Sequence, residues 1–286
     1  MPMPTPLSRR ALLGAPAALL SIFQPACHSD SAPTPMARDL SYGPSASQRL
    51  DTYASAQQRG LRPLVLLMHG GGWERGSRDD MAPFIARFTS RSYVVANIGY
   101  RLAAEAPAPA AVEDVRNAIE WVRLRAAGWG ADGRRILLAG FSAGAHLALL
   151  AALAPASAFA GPPCRARAIM SFWGITDLAD LLGQHNPRDF ARRWIPESPA
   201  RLELARRLSP IEYDVTDAPA LCAIHSLYDD VVPFAHSERL VAKFQHANRP
   251  AKLIRLSHRG HAAPDNAYPA MFSEAFRFLD GTGVMA

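Results

Sequence analysis

The chain is poor in cysteine, in lysine and in long apolar runs. Three cysteines among 286 residues are too few for a disulfide-stapled scaffold. Lys243 and Lys252 are the only lysines, and the arginines behind the net charge of +6 are scattered. No basic block or basic stripe interleaved with aromatics is present, so nothing points to a nucleic-acid partner. Charged residues make up only 20% and hydrophobic ones 49%, which excludes a disordered chain. Beyond the N-terminus no apolar run reaches about 18 residues, so no membrane span is expected in the mature chain. There is no internal repeat and no low-complexity linker. The length suits one large domain with a sizeable core.

Residues 1–27 read as an export signal. Arg9 and Arg10 precede an apolar stretch from Ala11 to Phe23, too short to cross a bilayer but suited to a signal-peptide core. Ser8-Arg9-Arg10-Ala11-Leu12-Leu13 resembles a twin-arginine signal, although an ordinary export signal with two arginines reads the same way. Cys27 is an alternative lipid-anchoring cysteine, with Gln24 where that pattern wants an aliphatic residue. Periplasmic or extracellular residence follows as an expectation. Residues 28–38 read as a flexible tail and 39–286 as a single domain. In an oxidising compartment Cys164 and Cys222 could pair, but Cys222 sits in an apolar run and reads better as a buried free thiol.

Within the domain, apolar runs alternate with helical patterns. Arg62 to His69, Tyr93 to Ile98, Arg135 to Ala139, Ala166 to Phe172, Ala218 to His225 and Ala251 to Leu256 are predicted strands. Val112, Val115, Ile119 and Val122 form the stripe of an amphipathic helix, and Ala145 to Leu153 is apolar all round, as a buried helix would be. Helices are also expected at 238–246 and 268–279. Continuous apolar strands separated by helices predict an α/β fold with a mostly parallel sheet covered on both faces. Its working site should lie beyond the carboxyl ends of the strands. The least regular stretch, 176–208, is a candidate lid or pocket wall; a plain surface excursion is the alternative.

Gly140-Phe141-Ser142-Ala143-Gly144 is a G-x-S-x-G pentapeptide between a predicted strand and a predicted helix. That placement holds a serine hydroxyl exposed on a strained turn, with a helix N-terminus behind it. His69-Gly70-Gly71-Gly72-Trp73 ends the first apolar strand. Its glycines can aim backbone N–H groups into a cavity. The N–H groups of Gly71, Gly72 and Ala143 are the expected oxyanion donors, with His69 bracing the loop. A serine nucleophile needs a base, and the base an orienting acid; where the serine sits on such a strand-to-helix turn, the acid and then the histidine follow it in the chain. Asp229 and His261 each follow a predicted strand, as Ser142 does. Asp230 and His258 are the neighbouring alternatives. Asp229 is preferred because Val231-Val232-Pro233 turns into a helix, and His261 because Gly260 permits a tight loop. A metal pair at His258 and His261 lacks further ligands, so no metal is expected. His146, His225, His236 and His246 read as structural or surface residues. Trp73 and Phe141, inside the two motifs, and Trp194, in the irregular stretch, are expected to line the substrate pocket.

With these residues in view the chain resembles the α/β-hydrolase esterases that carry an HGGG-type oxyanion loop. HGGGW at 69–73, GYRLA at 99–103, GFSAGAHLAL at 140–149, SP at 209–210, DDVVP at 229–233 and GH at 260–261 fall in family order. The segment 42–53 resembles the opening strand region of bacterial acetyl and feruloyl esterases. The resemblance implies cofactor-free hydrolysis of carboxylic esters, with Ser142 as nucleophile, His261 as base and then acid, and Asp229 as orienter. Short-chain acyl or hydroxycinnamoyl esters, small or attached to polysaccharide, are the implied substrates. Ser226 stands where many relatives have glycine, and Gly99 where many have an acid. The few residues before the first HGGG strand leave no room for a large N-terminal helical cap, which suggests an open site. Two readings compete: an arylformamidase-like amide hydrolase, which shares HGG-x-W, and a non-catalytic binding protein on the same fold.

Overall fold

A computed structural model describes residues 33–55, 60–183 and 189–286. Residues 1–27, read above as an export signal, and with them Cys27, lie outside the described residues. Eight strands form one sheet: β1 (Pro35–Ser41), β2 (Arg49–Tyr53), β3 (Arg62–Met68), β4 (Val94–Ile98), β5 (Ala131–Phe141), β6 (Ala168–Phe172), β7 (Ala220–Tyr228) and β8 (Ala251–Arg259). Their spatial order is β1-β2-β4-β3-β5-β6-β7-β8. The β1–β2 and β2–β4 pairings are antiparallel, and all the others are parallel.

The apolar runs form strands because both their faces are covered. Leu64 to Met68 in β3 have no exposed surface. Burying each such side chain is worth about 1.5–3 kcal/mol. One face carries α2 (Ala110–Arg125), α3 (Ala143–Leu153) and α7 (Ala235–His246), packed through Val112, Val115, Ile119, Leu147, Leu150 and Phe244. The other carries α1 (Ala82–Thr89) and α8 (Tyr268–Thr282), packed through Phe84, Ile85, Phe88, Phe272 and Phe276. Cys164 packs against the first cluster and Cys222 lies in the second, so the sheet separates them. Both are free thiols, and burial pushes the Cys164 thiol up to about 11.

Three expectations need correction. First, the tail assigned to 28–38 already contains the start of β1, because Pro35 pairs with Tyr53 of β2. β1 is an edge strand with little burial, so it leaves no apolar pattern to read. Second, β5 starts at Ala131, which pairs with Arg62, and runs to Phe141, longer at both ends than the predicted strand from Arg135 to Ala139. Third, 176–208 is neither wholly irregular nor a plain excursion. It contains α4 (Leu178–Gly183), α5 (Asp189–Trp194) and α6 (Arg201–Arg207), anchored by the buried Leu178, Leu181, Trp194, Ala205 and Leu208. Among the described residues before β3 the chain forms the β1–β2 ribbon, with no helix. Among the described residues no helix is long and apolar enough to cross a membrane.

Arg116, in α2, is buried, and among the described residues no acidic side chain pairs with it. Its guanidinium donates to the carbonyls of Ala154, Pro155, Ala156 and Phe159, which follow the carboxyl end of α3. These acceptors supply its hydrogen bonds just beyond the carboxyl end of α3, where the helix dipole also favours a positive charge. Arg116→Met fills a similar volume but leaves the carbonyls unmatched. It should cost about 3 kcal/mol or more, read as a lower thermal midpoint; an unchanged midpoint would show that water replaces the guanidinium freely.

Candidate active site

The strand β5 ends at Phe141 and α3 begins at Ala143, which leaves Ser142 alone to turn the chain. Ser142 has φ +53° and ψ −116°, a conformation costly for any residue with a Cβ. Its N–H donates to Phe172 O at 2.7 Å, and its carbonyl accepts from His146 N–H at 3.0 Å. The turn demands small neighbours: a Cβ on Gly144 would lie 2.3 Å from the carbonyl oxygen of His69. The serine motif and the glycine loop are thereby pressed together.

That loop, 69–73, is held from behind. The His69 ring stacks on Tyr100 with centroids 4.3 Å apart, and its Nδ1–H donates to Gly70 O at 2.7 Å. The Tyr100 hydroxyl donates to His69 O at 2.8 Å. Gly71 has φ +110°, and a Cβ there would collide with Arg75 O at 2.1 Å. No hydrogen bond among the described residues uses the N–H of Gly71, Gly72 or Ala143. Phe190 of α5 packs on Gly72, with its Cβ 3.0 Å from where a Gly72 Cβ would sit.

Asp229 and His261 meet Ser142 at the same rim. His261 Nε2 lies 2.8 Å from Ser142 Oγ, and its Nδ1 lies 2.7 Å from Asp229 Oδ2. The Asp229 side chain has no exposed surface. Its Oδ1 accepts the N–H groups of Val231 and Val232 at 2.8 and 2.9 Å. Burial works to raise its pKa, but the hydrogen bonds from His225 and His261 win and hold the carboxyl well below the usual carboxylate range. Nδ1 therefore carries the proton toward Asp229, and the Nε2 lone pair faces the serine hydroxyl. The exposed Asp230 and the neighbouring His258 do not occupy these places.

His225 is the residue that sequence reasoning missed. It is wholly buried, with Nε2 3.1 Å from Asp229 Oδ2 and 3.0 Å from Val232 O, and Nδ1 2.7 Å from Ser237 Oγ. The signal was its position in the last apolar stretch of β7, four residues before Asp229. The three aromatic residues expected in the pocket need correction. Trp73 and Trp194 stack on each other at 4.2 Å with the His146 ring edge-on to both, and Phe141 stacks on Phe172 at 4.3 Å on the opposite face of the sheet. All three are fully enclosed and present no surface to a substrate. Phe190, only partly buried, is the aromatic residue that reaches the glycine loop.

Burial lowers His69, His146 and His236 to about 4. An unfolded chain protonates histidine near 6.5. Between about 6.5 and 4 the unfolded state therefore holds more protons, and stability is lost as pH falls through that window. Urea midpoints should be steady above pH 7 and drop steeply toward pH 4.5. A flat profile would mean that these rings are solvated in the native state.

A family profile described as BD-FAE matches residues 50–244. The chain belongs to the BD-FAE family. The BD-FAE match includes Ser142 and Asp229 and ends before His261, which the fold alone brings into place. Over 221 residues the chain is 30% identical to esterase LipQ of Mycobacterium tuberculosis, covering 73% of this chain and 52% of that protein. It is 39% identical over 121 residues to carboxylesterase NlhH of the same species, covering 42% of this chain and 36% of that one. The chain spans about half the length of the curated relatives it matches. Among solved structures, a truncated carbohydrate esterase from gut microbiota superposes with TM-score 0.75 at 23% identity, covering 88% of this chain and 98% of that one. Butyrate-bound esterase 2 of Thermogutta terrifontis superposes with TM-score 0.74 at 24% identity, covering 90% and 96%. The fold of this BD-FAE member is that of the α/β-hydrolases.

Proposed function

We propose that the chain hydrolyses carboxylic esters through a Ser142–His261–Asp229 triad and an acyl-enzyme intermediate. The observation that carries this reading is the unbroken hydrogen-bonded line from Ser142 Oγ through both nitrogens of His261 to Asp229 Oδ2. The names of the relatives support it. Ser142 Oγ attacks the ester carbonyl as His261 Nε2 takes its proton, and Asp229 stabilises the imidazolium that forms. The negative charge on the former carbonyl oxygen falls to the N–H groups of Gly71, Gly72 and Ala143. Preorganised donors of this kind are worth roughly 3–4 kcal/mol each. His261 then protonates the leaving alcohol, and water repeats the sequence to release the acid.

Short acyl groups fit best, because Phe190 closes on Gly72 and the Trp73–Trp194 stack fills the space behind. Among the described residues no helical cap precedes β3, which suits esters whose alcohol is bulky or polymeric, such as acetyl esters of polysaccharide. Residues 1–27 would direct the chain to the periplasm or outside, by a twin-arginine-like signal or by lipidation at Cys27.

Rates on p-nitrophenyl esters from two to twelve carbons, acetylated xylan and N-formylkynurenine test this reading. Turnover should be greatest on the shortest acyl chains. Hydrolysis of the formamide alone would replace the ester reading, and no turnover with no labelling of Ser142 by an organophosphonate would end it.

A further inference from the structure

Behind His261 lies a second hydrogen-bonded cluster that the hydrolysis mechanism does not use. Ser226, near the carboxyl end of β7, has no exposed surface. Its Oγ accepts the indole Nε1–H of Trp173 at 2.7 Å and lies 2.9 Å from His258 Nε2. The same Nε2 lies 2.5 Å from Ala262 O. A carbonyl oxygen only accepts, so this nitrogen carries the proton and shares it between Ala262 O and Ser226 Oγ. One serine oxygen thus ties together the ends of three neighbouring strands: Trp173 follows β6, Ser226 belongs to β7 and His258 to β8.

The cluster grips the residues next to the base. Ala262 directly follows His261, and Gly260, just before it, has φ +101° and so sits in a sharp bend. The Trp173 ring lies 6.4 Å from the His261 ring, centre to centre, and also packs on Phe141 and Tyr268. His261 is therefore held through its chain neighbour by His258 and backed by an indole that Ser226 orients. Glycine at 226 would leave the Trp173 N–H without its acceptor and His258 held by Ala262 O alone.

We propose that Ser226 and His258 are positioning residues that hold the His261 loop in register with Ser142 and Asp229. This rests on the reading of His261 as the general base. Neither residue touches the reacting atoms; both act through Trp173 and Ala262.

The test compares the full chain with S226G, S226A, H258A and H258Q. Two readouts are taken: kcat and KM on p-nitrophenyl acetate, and the far-downfield proton NMR signal of the His261 Nδ1–H bonded to Asp229. S226G, S226A and H258A should lower kcat about tenfold or more with KM nearly unchanged, since small misplacements of a base are costly. Their downfield signal should broaden or vanish. H258Q, which keeps an N–H donor for Ala262 O, should recover part of both. Parent kcat and an intact signal in S226G and H258A would overturn the proposal. So would a lowered thermal midpoint with kcat and signal unchanged, which would assign the cluster to folding alone. If the parent hydrolyses no ester, the hydrolysis reading fails; the NMR signal still decides whether the cluster positions His261.

Discussion

Ser142→Ala should reduce kcat by about a millionfold on every ester the parent cleaves, the scale seen when a triad serine is removed. The expectation follows from geometry. Ser142 Oγ is the atom that His261 Nε2 faces at 2.8 Å, and without it the base has nothing to deprotonate. The backbone should be unaffected, because alanine keeps the Cβ and the strained φ of +53° is imposed by β5, α3 and the bond to Phe172 O. The thermal midpoint should therefore stay within a few degrees of the parent. Binding and oxyanion donors alone can leave a residual 10³–10⁴-fold acceleration over water, so a small rate above background is compatible with the assignment. Retention of more than about 1% of the parent kcat is not compatible with it. That outcome would mean that His261 activates water directly. A parent that binds esters without turning them over would instead favour a binding protein on this fold.

The central sheet was legible because fully buried parallel strands are written as unbroken apolar runs, and 62–68, 94–98 and 168–172 contain little else. The serine turn and the glycine loop were legible for a different reason: close backbone approach leaves few residue choices, as at Gly144 against His69 O. The ends of the molecule were harder. β1 is an edge strand with most of its side chains in solvent, so no core writes a pattern into it. Helix α1 is only eight residues long, and its buried face consists of Phe84, Ile85, Phe88 and Thr89 between polar stretches. The pocket aromatics failed for a physical reason. Trp73 and Trp194 lie 121 positions apart, and nothing in their local surroundings tells that the two indoles stack on each other rather than on a substrate. His225 was passed over because the relation between a histidine in β7 and an aspartate four residues on is set by the turn, not by any periodicity.

Asp229→Asn should lower kcat by about 10⁴ while leaving KM within a few-fold, the scale of the same change in a serine-protease triad. The amide has the size of the carboxylate but reverses the hydrogen bonding. Its oxygen would stay on the N–H groups of Val231 and Val232, which fix Oδ1. Its NH₂ would then take the place of Oδ2, where His261 Nδ1 and His225 Nε2 approach at 2.7 and 3.1 Å. Two N–H groups cannot face that NH₂ without repulsion. His261 must shift its proton to Nε2, which then points a hydrogen at Ser142 Oγ where a lone pair is needed. His225 is held by Val232 O and Ser237 Oγ and cannot turn away, so the amide is pressed toward His261 rather than released. Asp230→Asn is the informative control. The two carboxylates are adjacent in sequence, but 230 is exposed and changes there should move the rate by no more than about twofold. Steady-state rates on p-nitrophenyl acetate for the two variants decide between them. A silent D230N beside an active D229N would transfer the orienting role to the neighbouring carboxylate and require the strand-end turn of β7 to adopt another conformation during turnover.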